Sequence, residues 1–159
     1  MTTLADLRAS SLAELEQLFL RAPLGPAPRG RFRGEVLARV DSGLAHSRKG
    51  ALILAPFERL PFGIDFDASR WFFVHPALRL ARFRLERGRS RFRACEVLAL
   101  DYEGSRLPGP IRSFLYDELR PIGEALCLGL GAINAPAGEG DLFFFALSPW
   151  GAEAGERLC

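Results

Sequence analysis

The chain is poor in the residues from which recognisable chemistry is usually built. It carries two histidines and three cysteines in 159 residues. His46 and His75 stand apart, with no HxH, HExxH or mixed Cys/His spacing around them, so neither a zinc nor a haem site is expected. Cys95, Cys127 and Cys159 are odd in number, widely spaced and without a CxxC pair, which reads as reduced thiols rather than a disulfide framework. There is no GxGxxG, Walker loop or GxSxG, which removes sequence support for nucleotide-dependent and serine-hydrolase chemistry. No cofactor is expected.

Long apolar runs are also missing. The most apolar stretches, Ala125 to Ala135 and Leu142 to Trp150, fall well short of the roughly 20 residues that a membrane helix needs. The opening Met1 to Arg8 lacks the basic-then-apolar order of a secretory signal. The expectation is a soluble, cytoplasmic chain with no membrane insertion. Lysine is nearly absent: of 21 basic residues only Lys49 is not arginine. Set against 19 acidic residues this leaves a net charge of +2, too small for a global field that would draw in a polyanion.

Phenylalanine is what the chain has in plenty, with 13 residues, and 48% hydrophobic against 25% charged is a globular balance. A chain of this length can bury about 70% of its unfolded surface around one core. The reading is a single domain, 1–159: a helix at about 11–22, a Pro/Gly connector at 23–30, a β-barrel over about 31–148 and a short tail at 149–159.

Ser11-Leu12-Ala13-Glu14 fits a capping box, and Leu12, Leu15, Leu18, Phe19 and Ala22 then recur at helical spacing until Pro23. Leu4 and Leu7 can add a preceding turn. A helix this short is marginal alone, so its stripe should pack against the sheet or across one barrel end. From Arg31 the period changes to two, with Phe32, Gly34, Val36, Ala38 and Val40 on one parity. Further strands are expected at Ala51 to Phe57, Trp71 to His75, Arg79 to Arg87, Arg91 to Leu100, Ala125 to Ala132 and Asp141 to Ser148. Gly88-Arg89-Ser90 reads as the turn of a hairpin between the third and fourth of these. Ile111 to Arg120 suits either a helical turn or a strand. So many strands behind one helix predict a mainly β fold, an antiparallel barrel or strongly curved sheet, because closure removes unprotected edges. A sandwich is the structural competitor.

The order of helix, Pro/Gly connector and strands resembles small bacterial proteins with a lipocalin-like barrel, related to the GxWxG calycin group. The likeness is carried by Leu12 to Gly34 and by Leu100 to Ser148. The latter includes Leu100-Asp101-Tyr102, Tyr116-Asp117-Glu118-Leu119-Arg120, Leu128-Gly129 and Phe144-Phe145-Ala146-Leu147-Ser148. The middle departs from it: GxWxG is absent and Arg70-Trp71 is the nearest feature. The resemblance implies a barrel around a ligand cavity, and no reaction.

Such a barrel turns every second strand residue inward, which groups Trp71, Phe73 and His75. With Tyr102, Tyr116 and Arg120 they form the candidate ligand-binding set, Arg120 or His75 receiving a head group. The function expected is binding of an apolar or amphipathic small molecule, lipid-like and able to carry a carboxylate. The competing picture is a closed core in which these aromatics pack on one another. Two other readings stand beside it. One is a small-barrel enzyme using His75, Asp101 or Asp117 for proton transfer, although Asp117 and Glu118 face opposite sides if their segment is extended. The other is nucleic-acid or partner binding through the Arg79 to Arg93 hairpin, where Phe83 and Phe92 interleave with arginines. Alternation leaves only half of a strand's positions for one phosphate track, so a solvated outer face is preferred.

Overall fold

The computed structural model describes residues 2–40, 55–105, 115–123, 125–133 and 141–151. Two helices open the chain. Helix α1 (Leu4–Ala9) is capped by Thr3, whose side chain accepts from the Asp6 amide while Asp6 bonds back to the Thr3 amide. Helix α2 (Leu12–Arg21) repeats the device with Ser11 and Glu14. Each box satisfies amides that a first helical turn leaves without partners.

Nine antiparallel strands follow: β1 (Arg31–Arg39), β2 (Phe62–Asp65), β3 (Arg70–Phe73), β4 (Arg79–Arg82), β5 (Arg84–Arg89), β6 (Glu96–Asp101), β7 (Leu115–Pro121), β8 (Cys127–Ile133) and β9 (Asp141–Pro149). Their order in the sheet is β4-β3-β2-β1-β9-β8-β7-β6-β5, so β4 and β5, consecutive in the chain, lie at opposite edges. Between β4 and β5 there is only Phe83, whose amide donates to the Ser69 carbonyl at 3.1 Å. The chain itself therefore steps across the seam, and the sheet curls into a nearly closed barrel.

That step corrects the expected unbroken strand from Arg79 to Arg87. Its first half pairs with β3 and its second with β6. The hairpin between β5 and β6 exists, but Arg89 pairs with Glu96 and the turn spans residues 90–95 rather than Gly88-Arg89-Ser90. Ser90 moves it: its hydroxyl oxygen accepts from the Phe92 and Arg93 amides, at 3.1 and 2.8 Å, and donates to Glu118. Such local side-chain bonds offer the backbone an alternative to the ladder. Residues 55–59 are helical rather than the end of a strand, and 51–54 lie outside the described residues. Strand β3 stops at Phe73, two residues before His75, where Val74 takes a positive φ of 63°. The 115–121 part of the ambiguous segment is strand. Strand β2 had no counterpart in the sequence reading.

Two apolar cores lie on either side of the wall made by β7, β8 and β9. The outer one holds Leu7, Leu15, Phe19 and Ala22 of the helical segment against Leu128, Leu130, Leu142, Phe144 and Ala146. Phe19 meets Phe144 edge-on at 5.8 Å. The helices thus cover the outside of the barrel rather than its end. Bonds from Arg8 to Glu35, at 2.8 and 2.7 Å, and from Arg93 to Glu16 pin them there. The inner core holds Phe62, Ile64, Trp71, Leu98, Leu100, Leu119, Phe143, Phe145 and Leu147.

Phenylalanine and glycine are matched across the ladders. Gly34 pairs with Phe62, Gly63 with Phe72, Gly129 with Phe145 and Gly131 with Phe143. In each pair the ring lies over its glycine, where an added Cβ would collide with it. Glycine inside a strand here makes room for a ring lying flat on the neighbouring backbone.

Candidate functional site

The parity of β7 decides what lies inside. Tyr116, Glu118 and Arg120 share one side of the strand, and Leu115, Asp117 and Leu119 the other, so one carboxylate enters an otherwise apolar row. Asp117 lines a partly open cavity of about 190 Å³. Its remaining walls come from Phe62 on β2, Trp71 and Phe73 on β3, Leu80 and Ala81 on β4, Ala132 and Ile133 on β8, and Phe143 and Phe145 on β9. Among the described residues Leu115, Tyr102 and Phe57 also line it. The rings form a chain of contacts: Phe57 to Phe73 at 4.8 Å, Phe62 to Trp71 at 5.8 Å, Trp71 to Phe145 at 6.0 Å and Phe145 to Phe143 at 5.9 Å.

Three polar groups converge in this wall. The Trp71 indole N–H donates to the Tyr102 hydroxyl oxygen at 2.6 Å, and that hydroxyl donates to Oδ2 of Asp117. All three residues are buried. Burial pushes the Asp117 carboxyl from its ordinary 3.8 up to about 7; the Tyr102 bond opposes the rise and the charge of Glu118 adds to it. Burial, then the neighbouring Asp117 charge, pushes the Tyr102 phenol well above its ordinary range, so it stays a donor.

The sequence-derived candidates separate in space. Trp71, Phe73 and Tyr102 line the cavity. His75 does not: it is exposed in the turn after β3, where its Nδ1 accepts from the Ala77 amide at 3.2 Å. The shared parity of Trp71, Phe73 and His75 ends when the strand ends. Tyr116 lies on the outer face, edge-on to Phe92 at 5.8 Å and beneath the Arg91 guanidinium at 4.2 Å. Arg120, on that same face, is buried and donates through Nη1 to the Glu96 carbonyl. Neither cation proposed for a head group reaches the cavity. Asp101 accepts from the Glu103 amide at 2.9 Å, holding a turn outside it.

Phe57, Phe62, Phe143 and Phe145 were not among the candidates. The signal for the last two was present, since they share parity on β9 and face Gly131 and Gly129. Asp117 was named only as a possible catalyst, although its place in the Leu115, Asp117, Leu119 row marks an inward acid. Among the described residues no group of three or more His, Cys, Asp or Glu is placed to hold a metal ion. No helix among them is long and apolar enough to cross a membrane.

No protein-family model and no curated protein matches the chain. Its structure is similar to the crystal structure of a protein from Thermomonospora curvata, with a TM-score of 0.55 and 19% identity over 92% of this chain and 95% of that one. At that identity the likeness shows the fold, a nearly closed antiparallel barrel, and not a lipocalin family.

Proposed function

We propose that the barrel binds a small apolar or amphipathic molecule. The observation that carries this reading is the 190 Å³ cavity walled by aromatic rings with one polar end. Aromatic walls offer large contact area at low conformational cost, and a few convergent polar groups orient what enters.

The size narrows the ligand. Sites for drug-sized molecules span roughly 300–1,000 Å³, whereas a cavity of about 150 Å³ accommodates benzene. A compact molecule of one or two rings fits this space better than an extended lipid chain. The polar end argues against a carboxylate ligand, because the ionisable group that lines it is itself a carboxyl. Asp117 also favours a second reading, proton transfer to or from the bound molecule, since its carboxyl is poised near neutrality.

Binding is tested by thermal melting with panels of one- and two-ring compounds and of long-chain fatty acids. A compact ligand at 100 times its Kd adds about 2.7 kcal/mol, and so raises the melting temperature of a chain this size by about 5–10 °C. Native mass spectrometry of freshly purified protein is expected to show a small bound mass released on denaturation. A melting temperature indifferent to every compact probe, with no bound mass, would overturn the reading.

A further inference from the structure

The polar end of the cavity is a hydrogen-bond chain with one possible direction. An indole N–H can only donate, so Trp71 commits the Tyr102 oxygen to accepting. The phenol has a single hydrogen, which goes to Asp117 Oδ2. Oδ2 is thereby fixed as an acceptor, and Oδ1 is left to meet whatever occupies the cavity that Asp117 lines.

No basic side chain stands among the described residues of that lining. In the ladder Asp117 stands opposite Leu100 on β6 and the side-chain-free Gly131 on β8, neither of them charged, and its hydrogen-bond partner is Tyr102. Among the described residues the charge that acts on Asp117 is Glu118, which raises its carboxyl further and lies on the far side of the strand. Cys127, in the same inner core as Tyr102, has its thiol pushed by burial to about 12 and stays neutral. A buried carboxylate without a counter-charge is costly even with one hydrogen bond, and a proton or a cation offsets that cost. Aromatic faces add their own attraction for a cation, strongest for a ring such as Trp71.

Resting on the reading of the barrel as a small-molecule binder, we propose that the cavity takes a compact hydrophobic amine as its ammonium ion, with Asp117 Oδ1 as counter-charge and the surrounding ring faces as its cage. The carboxyl, which titrates at about 7, makes the ammonium compete with a proton. Above neutrality Oδ1 is anionic and accepts; below it the proton occupies the same place and the amine is displaced. Affinity should fall by about 100-fold between pH 8 and pH 5, for a ligand charged throughout.

The test titrates the full chain with benzylamine, benzyl alcohol, toluene and acetophenone at both pH values, by calorimetry or ligand-observed NMR. Benzylamine is expected to bind about tenfold or more tightly than toluene at pH 8, a difference of about 1.4 kcal/mol. It should lose about 100-fold at pH 5 while toluene is unchanged. Asp117→Asn should abolish the preference for the amine and leave toluene binding intact, which also shows that the variant is folded. Toluene binding as well as benzylamine at pH 8 would overturn the ammonium site and leave the binding cavity standing. So would acetophenone binding that strengthens at pH 5, which would make Oδ1 a proton donor to a carbonyl. Binding of none of the four would overturn the cavity reading and this proposal with it.

Discussion

Asp117 and Glu118 are consecutive carboxylates on one strand, yet the wall between them gives them opposite situations. Glu118 faces the turn after β5, where Oε2 accepts from the Ser90 hydroxyl at 2.5 Å and Oε1 from the Arg91 amide at 2.6 Å. Burial pushes its carboxyl up, while these bonds and the charges of Arg93 and Arg91 pull it back. Asp117 faces the cavity with Tyr102 as its one hydrogen-bond partner among the described residues. The outer carboxylate is consumed in holding a turn. The inner one is held through Oδ2 by a single phenol and lines the cavity. A buried charge becomes a candidate for function when the fold leaves it incompletely partnered beside empty space.

The largest expected effect tests whether the outer side of the wall is as fully packed as this contrast requires. Phe19 is completely buried beneath α2, against Phe144 and the β8–β9 surface. Phe19→Ala should cost about 3–5 kcal/mol, read from urea denaturation. Phe73, which borders the existing cavity, should cost less when cut to alanine because part of its surface already lacks a packing partner. Equal losses at both positions would break the distinction between a filled outer core and an open inner one.

A smaller effect, of opposite sign, belongs to Asp117. Its carboxyl titrates at about 7 in the fold against 3.8 ordinarily, so between those values the folded chain keeps a proton that the unfolded chain releases. Stability therefore falls as pH rises from about 4 to 7, and the whole penalty is present above 7. Asp117→Asn keeps an acceptor for Tyr102 and removes the charge. It should raise stability at pH 8 by roughly 2–4 kcal/mol, make little difference near pH 4, and flatten the profile between. Denaturation midpoints across that range measure it, and a variant that is less stable at pH 8 would show that the ionised carboxyl is satisfied after all.

Much of this architecture was legible from local pattern. The capping box at Ser11, the stripe through Leu15 and Phe19, the alternation of β1 and the apolar run of β9 all reflect chemistry within a few residues. What escaped depended on contacts between distant parts of the chain. The break at Phe83 follows from closure of the seam, which no alternation of Arg79 to Arg87 records. The turn at 90–95 is set partly by Glu118, 28 residues beyond Ser90. In the site, parity placed Trp71 beside Phe73 but misplaced His75, because it was carried past the end of β3. Arg120 was chosen for its charge, and the same parity rule applied to β7 puts it on the side opposite Asp117.

The smallest expected effect concerns the arginine run, which the seam divides. Arg79 and Arg82 belong to β4, whereas Arg84, Arg87 and Arg89 belong to β5 at the other edge of the sheet. Several of these cations already have work: Arg79 bonds Asp65 at 3.5 Å, Arg87 the Gly25 carbonyl at 2.9 Å, Arg91 covers Tyr116 and Arg93 holds Glu16. With cations engaged by β2, the connector, Tyr116 and Glu16, the run is expected to offer no single track for a phosphate backbone. Arg82 and Arg84 are exposed, and the Arg84 to Glu86 pair at 3.2 Å is the kind of surface ion pair that contributes little. Replacing both with alanine should change stability by less than about 0.5 kcal/mol. Fluorescence anisotropy with labelled single-stranded DNA and RNA, at low and physiological salt, should show no tight binding to either protein. Tight, salt-sensitive binding that the double substitution removes would make the seam a nucleic-acid surface and return weight to the outside of the barrel over its cavity.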